Sequence, residues 1–184
     1  MKNLCAAPNS RTSHIAIIPS LGGIAIFIAF ILSTVIFAGD FFHFELKYII
    51  AGLIIVFFVG IKDDILIIAP MKKLAGQILA AGLIAFLANI RITSLYGLFY
   101  VQQLPYSVSI LFTIFVFIVI INGFNLIDGI DGLASGTGIL TASVFRIWFW
   151  VSGNQGYAIL SFSFVGTLAA FFYFNVFDKK IRYF

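Results

Sequence analysis

The chain has 184 residues, 62% of them hydrophobic and only 10% charged, with a formal net charge of +4. A soluble domain averages about half apolar and a quarter charged, so this composition leaves too little polar surface for a soluble globule and predicts an all-α polytopic membrane protein. The basic residues are scattered in short loops without interleaved aromatics, which excludes a nucleic-acid partner. The single cysteine, Cys5, excludes an intrachain disulfide, and with no apolar stretch before it, it fits neither a secretory nor a lipoprotein signal. It is expected to be an inert cytoplasmic thiol.

A membrane helix needs about 20 mostly apolar residues, with about 17–25 tolerated. Six stretches qualify: Leu21–Ala38, Phe44–Ile61, Leu74–Ile90, Ser107–Ile121, Leu133–Val151 and Tyr157–Val176. The second relies on Lys47 snorkelling to the interface. Between the third and fourth, β-branched and aromatic residues flank a Tyr96-Gly97 turn, which predicts a small outer-face β-hairpin over residues 91–104 with a structural role. At the start of the fifth, Gly132 and Gly136 are spaced for close helix packing, within one bundle rather than between subunits. No linker, low-complexity stretch or internal repeat divides the chain, so residues 1–184 are expected to form one transmembrane domain.

Six spans place both termini on one side. That side carries Lys2, Arg11, Lys62, Lys72, Lys73, Lys179, Lys180 and Arg182, the other only Lys47 and Arg91. The positive-inside rule makes the first side cytoplasmic. Arg146 lies within the fifth span and is expected to snorkel.

Four of the seven acidic residues fall in two short segments, Asp63-Asp64 and Asp128/Asp131. The topology puts both segments on the cytoplasmic face. Neighbouring ionised carboxylates repel, which favours a nearby cation or proton uptake. Magnesium suits such a place, since it takes one or two carboxylates and fills its other positions with water or phosphate oxygens. The plain alternative is a wetted, idle helix terminus. The second segment is Asn122-Gly-Phe-Asn-Leu-Ile-Asp-Gly-Ile-Asp-Gly132. Asn122, Asn125, Asp128 and Asp131 recur every three residues, a series that drifts about 60° per step on an α-helix. All four line one side only where the backbone tightens toward a 3-10 helix or opens into a loop. The bland reading is a glycine-rich turn with an Asp helix cap. Lys72 and Lys73 serve phosphate binding or topology, and His14 is a candidate ligand or base. A phosphorylated or nucleotide substrate meeting a lipid explains this set. A cation-coupled transport site is the rival, although such sites usually lie near the bilayer midplane.

Together these residues resemble the polyprenyl-phosphate N-acetylhexosamine-1-phosphate transferases. Asn122 to Ala134 is similar to the family's most diagnostic motif, and Gly60-Ile-Lys-Asp-Asp64 followed by Lys72, Lys73 and Gln77 is similar to its acidic motif. Pro8-Asn9, Arg11, Ser13-His14 and Pro19-Ser-Leu-Gly-Gly23 resemble its first cytoplasmic loop. The departures are Ala6 where the family has Asp, and Ile15-Ala16 where it has a basic residue after the His. The resemblance implies that a polyprenyl phosphate, undecaprenyl phosphate in bacteria, attacks the β-phosphate of a UDP-N-acetylhexosamine in the inner membrane. The products are a lipid-linked diphosphate sugar, the start of cell-envelope glycan synthesis, and UMP. The implied cofactor is Mg2+, with Mn2+ as a substitute. Asp63 would deprotonate or orient the lipid phosphate, and Asp64 would help place metal or phosphate. Asn122, Asn125, Asp128 and Asp131 would line the nucleotide side, with Asp128 also a metal ligand, and Lys72 and His14 would touch phosphate or nucleotide. The chain is expected to match roughly the middle half of a transferase, without the first helix and the C-terminal part, and to be inactive alone. Its further partners would be a second copy or a complementing C-terminal fragment. The alternative to an enzyme is a noncatalytic membrane remnant or interaction protein.

Overall fold

The computed structural model describes residues 5–6, 18–19, 22–41, 44–66 and 68–176. Their backbone is almost wholly helical, in six helices: α1 (Gly22–Ala38), α2 (Phe44–Leu66), α3 (Pro70–Leu87), α4 (Tyr106–Ile127), α5 (Leu133–Val151) and α6 (Gln155–Val176). Near the N-terminus, Cys5–Ala6 and Ile18–Pro19 form a two-residue antiparallel pairing, Cys5 opposite Pro19. α2, α3, α4 and α6 are long and apolar enough to cross a membrane. α1 is as apolar but only 17 residues long, about 26 Å at 1.5 Å per residue, against a hydrocarbon core of about 30 Å. α5 has the length, but Ser135, Thr137, Thr141, Ser143 and Arg146 lower its hydropathy.

Large apolar side chains stand exposed on every helix, among them Ile36 and Phe37 on α1, Leu111 on α4 and Trp148 on α5. On a soluble protein so wide an apolar surface would drive association; in a bilayer it faces lipid. The chain is therefore an all-α polytopic membrane protein. Long β-branched and aromatic runs remain helical because hydrocarbon offers the backbone no other hydrogen-bond partner.

The chain forms two compact units, residues 1–42 with 124–184, and residues 43–123. In the first, α6 packs against both α5 and α1. Phe30 meets Phe164 edge-to-face at 5.4 Å between centroids, and the Ser33 hydroxyl donates to Ser163 at 3.0 Å. Gly138 allows the close approach of α5 to α6, since a Cβ there would lie 2.7 Å from Leu168 Cδ1. The small residues at the start of α5 thus pack within one bundle, as expected.

In the second unit α2 packs on α3. A Cβ on Gly76 would lie 2.5 Å from Val59 Cγ2. Polar bonds tie down the start of α4: Thr113 Oγ1 accepts the Ile92 N–H at 2.9 Å, and Ser109 Oγ accepts from Arg91 Nη1 at 3.0 Å. The 91–105 connection reverses direction as expected, but it is not a two-stranded hairpin. A single bridge joins Ser94 to Gln103, and the tip curls through a 3-10 turn at Leu98–Tyr100. Left-handed residues at Tyr96, Gly97, Phe99 and Tyr100 bend the chain too sharply for a ladder.

Candidate functional site

The sequence expectation ended the second span at Ile61. The helix continues to Leu66, so Asp63 and Asp64 occupy the closing turns of α2. A carboxylate at a helix C-terminus opposes the helix dipole, and so does a lysine in the first turn of a helix. Both occur here, and each offsets the other. Lys73, in the first turn of α3, donates from Nζ to Asp63 Oδ2 at 2.9 Å. Asp63 Oδ1 also accepts the Ile68 N–H at 3.2 Å, which folds the α2–α3 connection around the carboxylate. The pair is about three-quarters buried. Lys72, the lysine singled out from the sequence, is exposed instead. Asp64, about 100° further round the helix, is also exposed.

One turn further along α3, Gln77 lies on the same face as Lys73 and is 3% exposed. It exchanges hydrogen bonds with Asn122: Nδ2 of Asn122 donates to Gln77 Oε1 at 2.9 Å, and Gln77 Nε2 donates back at 3.4 Å. Asn122 Nδ2 also reaches the Ile118 carbonyl at 2.8 Å. This satisfied amide lets α4 continue where the sequence expectation ended the span at Ile121. Asn122 and Asn125 are therefore helical rather than in an opened loop, and Asn122 is engaged with α3. Only the part after Ile127 turns open.

That turn builds the second polar site. The Ile130 N–H returns to Ile127 O at 3.3 Å, the Leu133 N–H to Ile130 O at 3.0 Å, and Gly132 takes the left-handed conformation, φ 75°, that starts α5. The Gly132 N–H donates to Asn175 Oδ1, at the end of α6, at 2.8 Å. A side chain on Gly132 would be strained by that φ and would lie 2.6 Å from Val176 Cγ2. Asp128, Asp131, Ser135 and Asn175 line a small cleft of about 10 Å3, about the room of one water molecule or ion. Surrounding chain desolvates Asp128 in part and pushes its carboxyl above the usual 3.8; the side chain keeps access to water.

Of the residues expected from sequence, the structure thus gathers Asp128 and Asp131 in one unit and leaves Asp63 and Asp64 in the other, next to Lys73. Exposed Asn125 falls in the last turn of α4. His14 lies outside the described residues. Lys73 was read beside Lys72 as a phosphate-binding or topology residue, Gln77 only as a motif position, and Asn175 was not singled out. Its one signal in the sequence is a lone amide directly after the aromatic run Phe171–Phe174 at a helix end. Among the described residues no three His, Cys, Asp or Glu side chains gather. The oxygen donors of the Asp128/Asp131 cleft fit magnesium, which needs only one or two carboxylates when phosphate and water complete its shell.

Helices suited to a bilayer, with carboxylate, amide and lysine groups collected at their ends, define a polytopic membrane protein with polar sites where its helices terminate. The chain belongs to glycosyl transferase family 4, whose sequence model matches residues 46–181. It is 29% identical over 172 residues to an undecaprenyl-phosphate alpha-N-acetylglucosaminyl 1-phosphate transferase of Yersinia pestis, covering 92% of this chain and 46% of that protein. It is 34% identical over 120 residues to a phospho-N-acetylmuramoyl-pentapeptide-transferase of Desulforamulus reducens, 60% of this chain and 35% of that protein. With a probable undecaprenyl-phosphate N-acetylglucosaminyl 1-phosphate transferase of Bacillus subtilis the identity is 27% over 178 residues, 95% of this chain and 48% of that protein. The chain thus spans about half the length of these relatives, or less.

Proposed function

We propose that these 184 residues supply part of the active centre of a transferase that moves N-acetylhexosamine 1-phosphate from a UDP-sugar to a polyprenyl phosphate in a bacterial inner membrane. The observation that carries the reading is the Asp128/Asp131 cleft, closed by Gly132 and Asn175 at a membrane-helix end. The names of the matched relatives support it. All six helices cross the bilayer, and both acidic turns are cytoplasmic.

An oxygen of the lipid phosphate attacks the β-phosphorus of the UDP-sugar. A new phosphorus–oxygen bond forms there, the bond from the β-phosphorus to the bridging oxygen breaks, and UMP leaves with that oxygen. Asp63 orients the lipid phosphate and takes any proton it carries. Lys73 holds the Asp63 carboxylate in place. Asp128 would hold magnesium, Asp64 would help place metal or phosphate, and Asn125 and Asp131 would face the nucleotide. Lys72 and His14 add phosphate or nucleotide contacts. When bound, magnesium offsets the diphosphate charge and stabilises the leaving group.

The relatives extend well beyond the matched region. The test supplies the rest. Residues 1–184 are co-expressed with the C-terminal half of the Yersinia relative and assayed with magnesium, UDP-N-acetylglucosamine and undecaprenyl phosphate. UMP release that disappears with Asp128→Asn supports the reading. The reading fails if both halves insert correctly and neither UMP release nor magnesium-dependent UDP-sugar binding is found.

A further inference from the structure

The connection between α3 and α4 carries an unusual surface. Tyr96, Phe99 and Tyr100 are almost completely exposed, at 92%, 80% and 103% of full accessibility, and Leu98 is 60% exposed. All three aromatics sit at positive φ, 51°, 54° and 62°. Bulky residues rarely adopt that conformation, and strain of this kind persists where it presents side chains for a purpose. Here it turns three rings outward.

The backbone of the tip is satisfied from within. The N–H groups of Leu95, Gly97, Leu98, Tyr100 and Val101 all donate to carbonyls of the same loop, and the Tyr96 N–H donates to Ser94 Oγ at 3.0 Å. A loop with so few backbone donors left over loses little on leaving bulk water. Nor does it carry charge: no Asp, Glu, Lys or Arg occurs between Arg91 and Tyr106. The only charge is at its base, where the Arg91 guanidinium lies 4.7 Å from the Tyr106 ring centroid and bonds Asn89 and Ser109.

The flanking helices, Pro70–Leu87 and Tyr106–Ile127, are both long and apolar enough to span, so the loop emerges where hydrocarbon gives way to water. Their adjoining ends are exposed and apolar at Phe86, Leu87, Val108 and Leu111. The aromatic tip therefore continues a lipid-facing surface, and Arg91 has the sign that attracts lipid phosphates. Tyr favours this layer, with its ring toward the acyl chains and its hydroxyl among the headgroups, and the Phe99 ring adds apolar surface beside it. We propose that the 94–101 tip is a membrane-interface anchor that lies in the headgroup layer of the bilayer through Tyr96, Phe99 and Tyr100.

The test uses the full chain in lipid nanodiscs and does not depend on transferase activity. Phe99→Trp is made with Trp148→Phe and Trp150→Phe, so that position 99 alone reports. Lipids brominated near the headgroup should quench it strongly, and aqueous iodide weakly. Full iodide quenching without bromolipid quenching would place the tip in water and overturn the proposal. Shielding from both would place it against protein, a second copy or another segment, and would overturn it equally. Should the tryptophan replacements unfold the chain, Cys5→Ser with Phe99→Cys carries a nitroxide label. Its collisions with oxygen should exceed those with an aqueous nickel chelate, and the reverse order sinks the anchor.

Discussion

At the residue scale the acidic groups are distinguished by their partners. Asp128 combines partial burial with solvent access, and its carboxyl lies above 3.8. The raised value means that the native state holds this proton more tightly than the unfolded chain. Stability from this group is therefore full below about 3.8 and falls as pH rises through the native value. Asp128→Asn should accordingly leave thermal stability at neutral pH unchanged or slightly higher, while magnesium-dependent UDP-sugar binding falls by about 10-fold to 100-fold. In the unaltered protein that binding should begin to fail, on acidification, at a higher pH than an ordinary aspartate would allow; calorimetric titration across the acid range checks both points. Asp63 differs, since its anchor is another side chain. Lys73→Met should leave a partly buried carboxylate at a helix C-terminus without its cation, costing about 1–3 kcal/mol. Denaturation of that variant beside Lys72→Met, whose lysine is exposed, should separate the two lysines that look equivalent in sequence.

At the scale of elements, contacts between helices run through small residues and a few paired polar groups. Gly76→Val should push α3 away from Val59 and cost about 1–3 kcal/mol by overpacking. Gly60→Ala, where a Cβ would meet nothing within 4 Å, should be nearly neutral in the same melting experiment. The Gln77–Asn122 exchange ties α3 to α4. Gln77→Leu or Asn122→Leu alone should cost about 1–3 kcal/mol, because each strands a partner. The double substitution should cost clearly less than the sum, since no unpaired amide remains. Additive effects in a double-mutant cycle would show that the pair does not couple the helices. Hydropathy predicted all six helices, with starts within about four residues. The ends of α2 and α4 ran past expectation because Lys73 and Gln77 satisfy polar groups that hydropathy can only read as a span ending. The 91–104 reversal was legible from its Tyr-Gly turn, whereas the left-handed tip that prevents a ladder was not, since bulky residues seldom signal that conformation.

At the scale of the whole molecule, the helices imply an orientation across the bilayer. The proposed orientation, which follows from charge asymmetry, has Lys62, Lys72 and the 122–132 turn on the cytoplasmic side and the 91–105 loop outside. Single cysteines in a Cys5→Ser background should report it. At Leu66 and Ile130 they should resist an impermeant thiol reagent in intact cells and react after permeabilisation, while at Gln103 they should react without it. Labelling of Leu66 and Gln103 from the same side would exclude α3 as a span and undo the assignment.

The sequence by itself determined the membrane class, the helix order and the residue types of the acidic turns, because hydropathy, charge asymmetry and motif spacing are properties of the chain alone. It could also name Asp63, Asp128 and Asp131 as candidates. Only the tertiary structure decided that Lys73 rather than Lys72 meets Asp63, that Asn122 is engaged with Gln77 while Asp128 and Asp131 line a cleft, and that Asn175 closes that cleft. Those choices rest on hydrogen bonds across as many as 45 residues of sequence, which no local pattern encodes. The helices had to pack before side chains so far apart in the chain could come within bonding distance.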